Sequence, residues 1–127
     1  MSTGIVVDTD VLVDFLRGNA KAIDFLKGHA DRIVLSAIVV AELFAGVRGQ
    51  TETDKLESVV SLFRIVSVTA EIAKAGGLLK RDFGKSHGVG LADAVIAATA
   101  QLENAELATL NVKHYPMISG LKPAYAK

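Results

Sequence analysis

Three acidic side chains, Asp8, Glu42 and Asp93, lie in segments whose other residues are those of a hydrophobic core. A buried carboxylate without a partner is unfavourable, and it takes up a proton unless a cation stands beside it. If the three groups meet, their repulsion requires a divalent ion, and ligands that are all oxygen indicate Mg²⁺ or Mn²⁺ rather than zinc. Such an ion polarises a scissile phosphate and supplies a hydroxide-like nucleophile, so these residues predict metal-dependent phosphodiester chemistry.

Each of the three acids also has a purely structural explanation. Asp8 follows an apolar strand and precedes a helix, where aspartate is a common N-cap. Glu42 has small and apolar neighbours three and four positions away, which predicts an inward face; the alternative places it at the helix rim, in contact with water. Asp93 lies near a helix N-terminus, which favours an anion, but Leu91 and Ala92 already fit the helical pattern and a cap would precede them.

Other catalytic groups are scarce in this chain. It has no cysteine, and His29, His87 and His114 lack the paired spacing of a zinc site, so we expect most of them at the surface. No Ser–His pairing and no P-loop are evident. The segment "GVGLAD", 88–93, begins like a dinucleotide-binding motif, but Asp93 stands where the third glycine is required.

The elements that must position the acids alternate along the chain. Short β-branched strands are predicted at 4–8, 31–36, 64–68 and 106–111. Helices are predicted from Asp10 onwards, at 20–29, at 37–47 with Ser36 as cap, at 53–63, at 70–83 despite the pair Gly76 and Gly77, and at 91–104. This alternation predicts an α/β fold, a three-layer α/β/α sandwich with a short, mainly parallel sheet covered on both faces. Ligands of such sheets bind beyond the carboxyl ends of the strands, where Asp8 lies.

Length and composition restrict the class of protein. The 127 residues suit a single domain, and with 50% hydrophobic residues disorder is not expected. There is no charged leader and no run of about 20 apolar residues, so we expect a cytoplasmic protein without a membrane segment. The 14 basic residues balance the 14 acidic ones, so any nucleic-acid contact depends on local patches. The candidate patches are Lys80 with Arg81 and Lys85, and Lys113 with His114.

Four segments, in this order, resemble the PIN-domain family, specifically the VapC ribonucleases of VapBC toxin–antitoxin pairs. These segments are "VVDTDVLVDFL", "SAIVVAELFAGV", "HGVGLADAVIAATA" and "LATLNVKHYPMI", and the likeness extends over essentially the whole chain, 1–127. The resemblance implies a Mg²⁺-dependent endoribonuclease in which Asp8, Glu42 and Asp93 bind the metal and activate water. Asn111 stands where the family often has a fourth acid, and Thr109 would support the site by hydrogen bonding.

The same resemblance implies partners. A cognate VapB-like antitoxin would cover the acidic groove with its C-terminal segment, and RNA would be the substrate. Toxins of this kind commonly form homodimers. The apolar stretches 39–44 and 59–63 are compatible with a dimer surface, and equally with ordinary core.

Two other functions remain open on the sequence alone. "IVVDTDVL" also resembles the opening of haloacid-dehalogenase-type phosphatases, in which Asp8 would be the nucleophile and Asp10 the acid–base. The chain is short for that family and shows no clear downstream lysine followed by an acidic pair. A non-catalytic metal-binding or interaction module is the third possibility, and Asn111 in place of an acid favours it.

Overall fold

The computed structural model describes residues 3–126, and within them it has four strands and six α-helices. The strands are β1 (Ile5–Val7), β2 (Ile33–Ser36), β3 (Arg64–Val66) and β4 (Glu106–Ala108). The helices are α1 (Thr9–Leu16), α2 (Ala20–Gly28), α3 (Ala37–Ala45), α4 (Gly49–Val60), α5 (Ala70–His87) and α6 (Leu91–Leu102), and a 3₁₀ helix follows at Val112–His114. The predicted order of strands and helices is confirmed.

The four strands form one parallel sheet in the order β3-β2-β1-β4. The chain builds outward from β1 through β2 to β3, then crosses back so that β4 lies on the other side of β1. In the register, Val6 is paired with Val34 on one side and with Leu107 on the other. The order therefore reverses between β1 and β4, and the carboxyl ends of two such strands border a crevice in open α/β sheets.

Burial shows that both faces of the sheet are covered. Successive side chains of a strand point to opposite faces, and every residue of β1 and β2 is buried. Helix residues complete this core, with Leu12 of α1 and Ile96 of α6 fully buried. The predicted α/β sandwich with a parallel sheet is thus confirmed. None of the helices in residues 3–126 is both long and apolar enough to cross a membrane.

Helices α5 and α6 pack closely, and this contact places the beginning of α6. A Cβ atom added at Gly76 would lie 2.9 Å from Cγ2 of Val95, whereas one added at Gly77 would meet nothing within 4 Å. Only the first glycine of the pair is therefore required by packing. Helix α5 continues to His87, beyond the predicted end at 83, until Gly88 adopts the left-handed conformation with φ of 65°.

Three further predicted boundaries, both ends of α4 and the end of β4, were wrong. Helix α4 begins at Gly49 rather than at 53, and the Glu52 carboxylate accepts the Arg48 N–H at 3.0 Å beside that end. It stops at Val60, so residues 61–63 are not helical. Strand β4 ends at Ala108 rather than at 111, because the Leu110 N–H donates to Oδ2 of Asp10 at 3.0 Å instead of extending the sheet.

The apolar stretches 39–44 and 59–63 are mostly accounted for by the core. Val39 and Leu43 are buried, while Phe44, Val60 and others pack against the main cluster. Leu62 is the exception, with 73% of its surface exposed.

Candidate active site

The candidate site begins where the strand order reverses, at the carboxyl ends of β1 and β4. Asp8 follows β1 and Thr109 follows β4, and the Thr109 hydroxyl donates to Oδ2 of Asp8 at 2.8 Å. The backbone N–H of Asp8 also donates to the Ala108 carbonyl at 2.9 Å, which keeps the two strand ends together. The pairing of β1 with β4 therefore fixes the relative position of Asp8 and Thr109.

Asp8 is both a helix cap and a member of the site. Its Oδ1 accepts the Thr9 N–H at 2.7 Å, so Asp8 is the N-cap of α1. Its Oδ2 accepts hydrogen bonds from the hydroxyls of Thr109 and Tyr115, the latter at 2.9 Å. The two interpretations of this residue are compatible because they use different oxygen atoms.

Asp93 lies in the first turn of α6, after Gly90, which occupies the N-cap position. The helix therefore begins before Asp93, as predicted. Oδ1 of Asp93 lies 3.4 Å from the Tyr115 hydroxyl, and Oδ2 lies 3.1 Å from Nδ1 of His114. Partial burial and the nearby Asp8 carboxylate raise the pKa of Asp93, Glu42 raises it further, and His114 opposes this shift.

The predicted inward position of Glu42 was wrong. Glu42 is exposed, because the buried face of α3 carries Val39 and Leu43 and Glu42 lies off that face. The alternative that placed it at the helix rim is correct. From the rim its Oε1 accepts the Thr9 hydroxyl at 2.8 Å, which directs the carboxylate towards Asp8 and α1.

These residues line one cleft with a volume of about 450 Å³. The cleft brings together the three predicted acids and the predicted amide, and adds two acids that the sequence analysis did not assign to a metal site: Asp8, Glu42, Asp93, Asn111, Asp10 and Asp14. Thr109 is fully buried and also contacts Asp10, with 3.3 Å between its hydroxyl and Oδ2. Asn111 is exposed, and its side-chain nitrogen lies 3.1 Å from Nδ1 of His114.

Asp10, Asp14 and Tyr115 are the residues that sequence reasoning missed. Burial and the adjacent Asp8 raise the pKa of Asp10, and its Oδ1 is a buried oxygen without a hydrogen-bond partner among residues 3–126. The signal for Asp10 was its place two residues after Asp8, which we had used only for the phosphatase alternative. Tyr115 gave no signal, since an aromatic residue near a predicted strand reads as core.

The donor set of this cleft fits a hard divalent cation. Its ligand atoms are carboxylate oxygens, they repel one another, and one of them, Asp10 Oδ1, lacks a donor. Within residues 3–126, however, no three acidic or histidine side chains already surround one common point in metal-binding geometry. A cation that keeps several water ligands needs only one or two direct carboxylates, and this is the behaviour of Mg²⁺.

A second cleft of about 560 Å³ adjoins the first between α1, α3 and α4. The two share Thr9, Val13, Arg17 and Glu42. Its apolar lining residues are Leu16, Leu43, Val47 and Leu56. Its three basic residues, Arg17, Arg48 and Lys55, are called the basic rim, and Glu42 and Glu52 also line this cleft. The predicted basic patch at 80–85 lies outside the lining of both clefts; there, Lys80 donates to the Val89 carbonyl at 2.8 Å and Arg81 pairs with Asp82.

Comparisons with known proteins agree with this geometry. The family model described as PIN domain matches residues 5–115. Ribonuclease VapC10 of Mycobacterium tuberculosis is 40% identical over 125 residues, which cover 96% of this chain and 93% of the relative. Ribonuclease VapC19 of the same organism is 40% identical over 124 residues, covering 94% and 98%.

Solved structures with a similar fold include two complexes. A toxin–antitoxin complex from Klebsiella pneumoniae has a TM-score of 0.83 at 28% identity, covering 96% of this chain and 98% of the other. VapBC2 from Rickettsia felis, bound to a DNA fragment from its promoter, has a TM-score of 0.76 at 26% identity, covering 92% and 94%. The match of a family model to most of the chain and the identity to these relatives show that the chain belongs to the PIN-domain family.

Proposed function

We propose that this protein is a metal-dependent endoribonuclease, the toxin of a VapBC-type toxin–antitoxin pair. The observation that carries the proposal is the cleft at the carboxyl ends of β1 and β4, which Asp8, Glu42 and Asp93 line together. The relatives that are named ribonucleases support RNA as the substrate. The phosphatase alternative loses support, because the family model that matches residues 5–115 is that of a PIN domain.

Asp8, Asp93 and Glu42 are the residues that would hold the metal, with Mg²⁺ as the expected ion and Mn²⁺ as a substitute. The bound ion supplies charge that stabilises the phosphate and acidifies a water molecule. Thr109 and Tyr115 hold Oδ2 of Asp8 in a fixed orientation through their hydroxyls. Glu42 is exposed at the rim, so an entering water molecule would be able to reach its carboxylate.

RNA would reach this cleft along the adjoining basic rim. Arg17 lines both clefts, and Arg48 and Lys55 continue the positive charge away from the acids. We expect contacts to phosphates and to the shape of the RNA to dominate over base stacking, because the chain has few aromatic residues and most of them are in the core. Lys113 and His114 would provide a second contact beside Asn111.

A VapB-like antitoxin is the partner that we propose for the second cleft. The solved neighbours are toxin–antitoxin complexes, and an apolar groove with a basic rim suits an amphipathic segment that carries acidic groups. We further propose that the chain acts as one PIN domain over residues 1–127, as a homodimer, in the cytoplasm where its RNA substrate is found.

The decisive experiment measures RNA cleavage and thermal stability of the purified chain with Mg²⁺, with Mn²⁺ and in chelator. We expect cleavage only with metal, together with a rise in melting temperature on metal addition, since a ligand of the folded state stabilises it. Asp93→Asn should remove both effects, whereas Asp24→Asn, at an exposed position of α2, should remove neither.

Three outcomes would contradict the proposal in different ways. Cleavage that persists in chelator would exclude the metal-dependent reaction. Metal-induced stabilisation without cleavage of any RNA would favour a non-catalytic binding module. Trapping of an aspartyl-phosphate at Asp8 would restore the phosphatase.

A further inference from the structure

Tyr115 connects two acids that belong to different elements. It follows the 3₁₀ helix, only 1% of its surface is exposed, and its ring belongs to the main hydrophobic cluster. Its hydroxyl leaves that cluster and enters the acidic cleft, 2.9 Å from Oδ2 of Asp8 and 3.4 Å from Oδ1 of Asp93. A single buried hydroxyl therefore stands between the cap of α1 and the first turn of α6.

The hydroxyl has one proton, and the distances show where it goes. It donates mainly to Asp8, the nearer acceptor, and Asp93 is a secondary acceptor. A tyrosine hydroxyl keeps its proton at neutral pH, so the group is an uncharged donor. A neutral donor between two carboxylates reduces their repulsion without adding charge.

We propose that Tyr115 is a positioning residue, whose hydroxyl sets the separation and orientation of the Asp8 and Asp93 carboxylates for the divalent cation. This rests on the proposed function, because it assigns these two acids to the metal. The ring fixes the hydroxyl from the core side, and Thr109 fixes Oδ2 of Asp8 from the β4 side. Without the hydroxyl, Asp8 and Asp93 lose their shared contact and must be reoriented when the cation binds.

The test compares Tyr115→Phe with Tyr125→Phe. Both changes remove one hydroxyl and keep the ring, and Tyr125 makes a matched hydrogen bond to Asp14 at 2.7 Å. Isothermal titration of the full chain with MnCl₂ should give a dissociation constant roughly three- to tenfold weaker for Tyr115→Phe, the effect of one lost hydrogen bond. Tyr125→Phe should stay within about twofold of the wild type.

A kinetic measurement separates positioning from general damage. For Tyr115→Phe, the Mg²⁺ concentration that gives half-maximal RNA cleavage should rise by the same factor, while the rate at saturating Mg²⁺ falls less. Equal Mn²⁺ affinity in wild type and Tyr115→Phe, or equal losses in both tyrosine variants, would overturn the proposal while leaving the ribonuclease function standing. A wild-type chain that binds no Mn²⁺ would overturn both.

The bridge itself can be tested without metal. In chelator, the shift in melting temperature caused by Tyr115→Phe should differ between the wild-type and Asp93→Asn backgrounds, because residues in contact give non-additive effects. Additive shifts would show that the hydroxyl does not couple to Asp93, and would overturn the proposal.

Discussion

The Asp8 carboxylate divides its hydrogen bonds between stability and chemistry. Oδ1 caps α1 and Oδ2 accepts the hydroxyls of Thr109 and Tyr115, so the two sets of contacts can be compared by substitution. Asp8→Asn keeps an oxygen for the cap and an NH₂ group that can donate to hydroxyl oxygens, whereas Asp8→Ala removes both sets of contacts.

We expect both Asp8 variants to be inactive but to differ in stability. Asp8→Asn should unfold close to the wild type, and Asp8→Ala should lose about 1–2 kcal/mol of unfolding free energy, the usual cost of a lost cap. Urea titration in chelator measures the difference. Full cleavage activity in Asp8→Asn would remove this residue from the reaction.

Asp93 should make the stability of the metal-free chain depend on pH. The pKa of Asp93 is raised above its ordinary 3.8 in the folded state, so the folded chain binds this proton more tightly than the unfolded chain does. The stability from this group is therefore complete at low pH and is lost as pH rises through the folded pKa.

Asp93→Asn cannot ionise, so the variant should not lose this stability as the pH rises. In chelator at pH 7 the variant should melt a few degrees higher than the wild type, and the difference should shrink as the pH falls towards 4. Asp24→Asn, exposed on α2, is the control with the same change in charge. A lower melting temperature for Asp93→Asn at pH 7 would mean that this carboxylate stabilises the fold.

At the scale of residues, a side chain could be predicted where its type contrasts with the residues around it in the sequence. An acid within an apolar segment stands out, and this identified Asp8 and Asp93. The burial of Glu42 was misjudged, because its neighbours on the helix are apolar while the sheet lies against Val39 and Leu43 instead. Tyr115 could not be identified, since its role depends on a hydroxyl that meets Asp8 from 107 positions away.

At the scale of elements, the contact between α5 and α6 determines where the first turn of α6 is held. Gly76 allows the approach, with Val95 two residues after Asp93 on the facing helix. The alternation of apolar patterns predicted both helices, but which glycine of the pair faces a neighbour is a property of the packed structure. The end of β4 was missed for the same reason, since the Leu110 N–H donates to Asp10 rather than extending the sheet.

The two glycines should respond in opposite directions. Gly76→Ala places a methyl group against Val95 and should cost about 1–3 kcal/mol, with reduced cleavage because the first turn of α6 is displaced. Gly77→Ala meets open space and should gain about 0.5–1 kcal/mol from helix propensity. Thermal unfolding of both variants is the measurement, and equal effects would show that the close approach is absent.

At the scale of the whole molecule, the absence of net charge makes the distribution of charge decisive. With 14 basic and 14 acidic residues, attraction of RNA must come from local clusters of basic side chains. The basic rim around Arg17 adjoins the acidic cleft, whereas Arg81 is exposed and paired with Asp82.

Arg17→Gln and Arg81→Gln change the net charge equally but should affect RNA binding differently. Arg17→Gln should weaken binding to an RNA oligonucleotide and reduce the slope of log affinity against log salt by about one contact. Arg81→Gln should leave both quantities near the wild-type values. Binding measured in chelator at several salt concentrations tests this, and equal losses would indicate that only total charge matters.

The pairing of β1 with β4 also has a consequence for synthesis. Thr109 and Asp8 are 101 positions apart, so a growing polypeptide on the ribosome carries all three acids well before the last strand can align them. A translation product that stops after Asp93 but before Thr109 would therefore be inert, although none of its acids is missing.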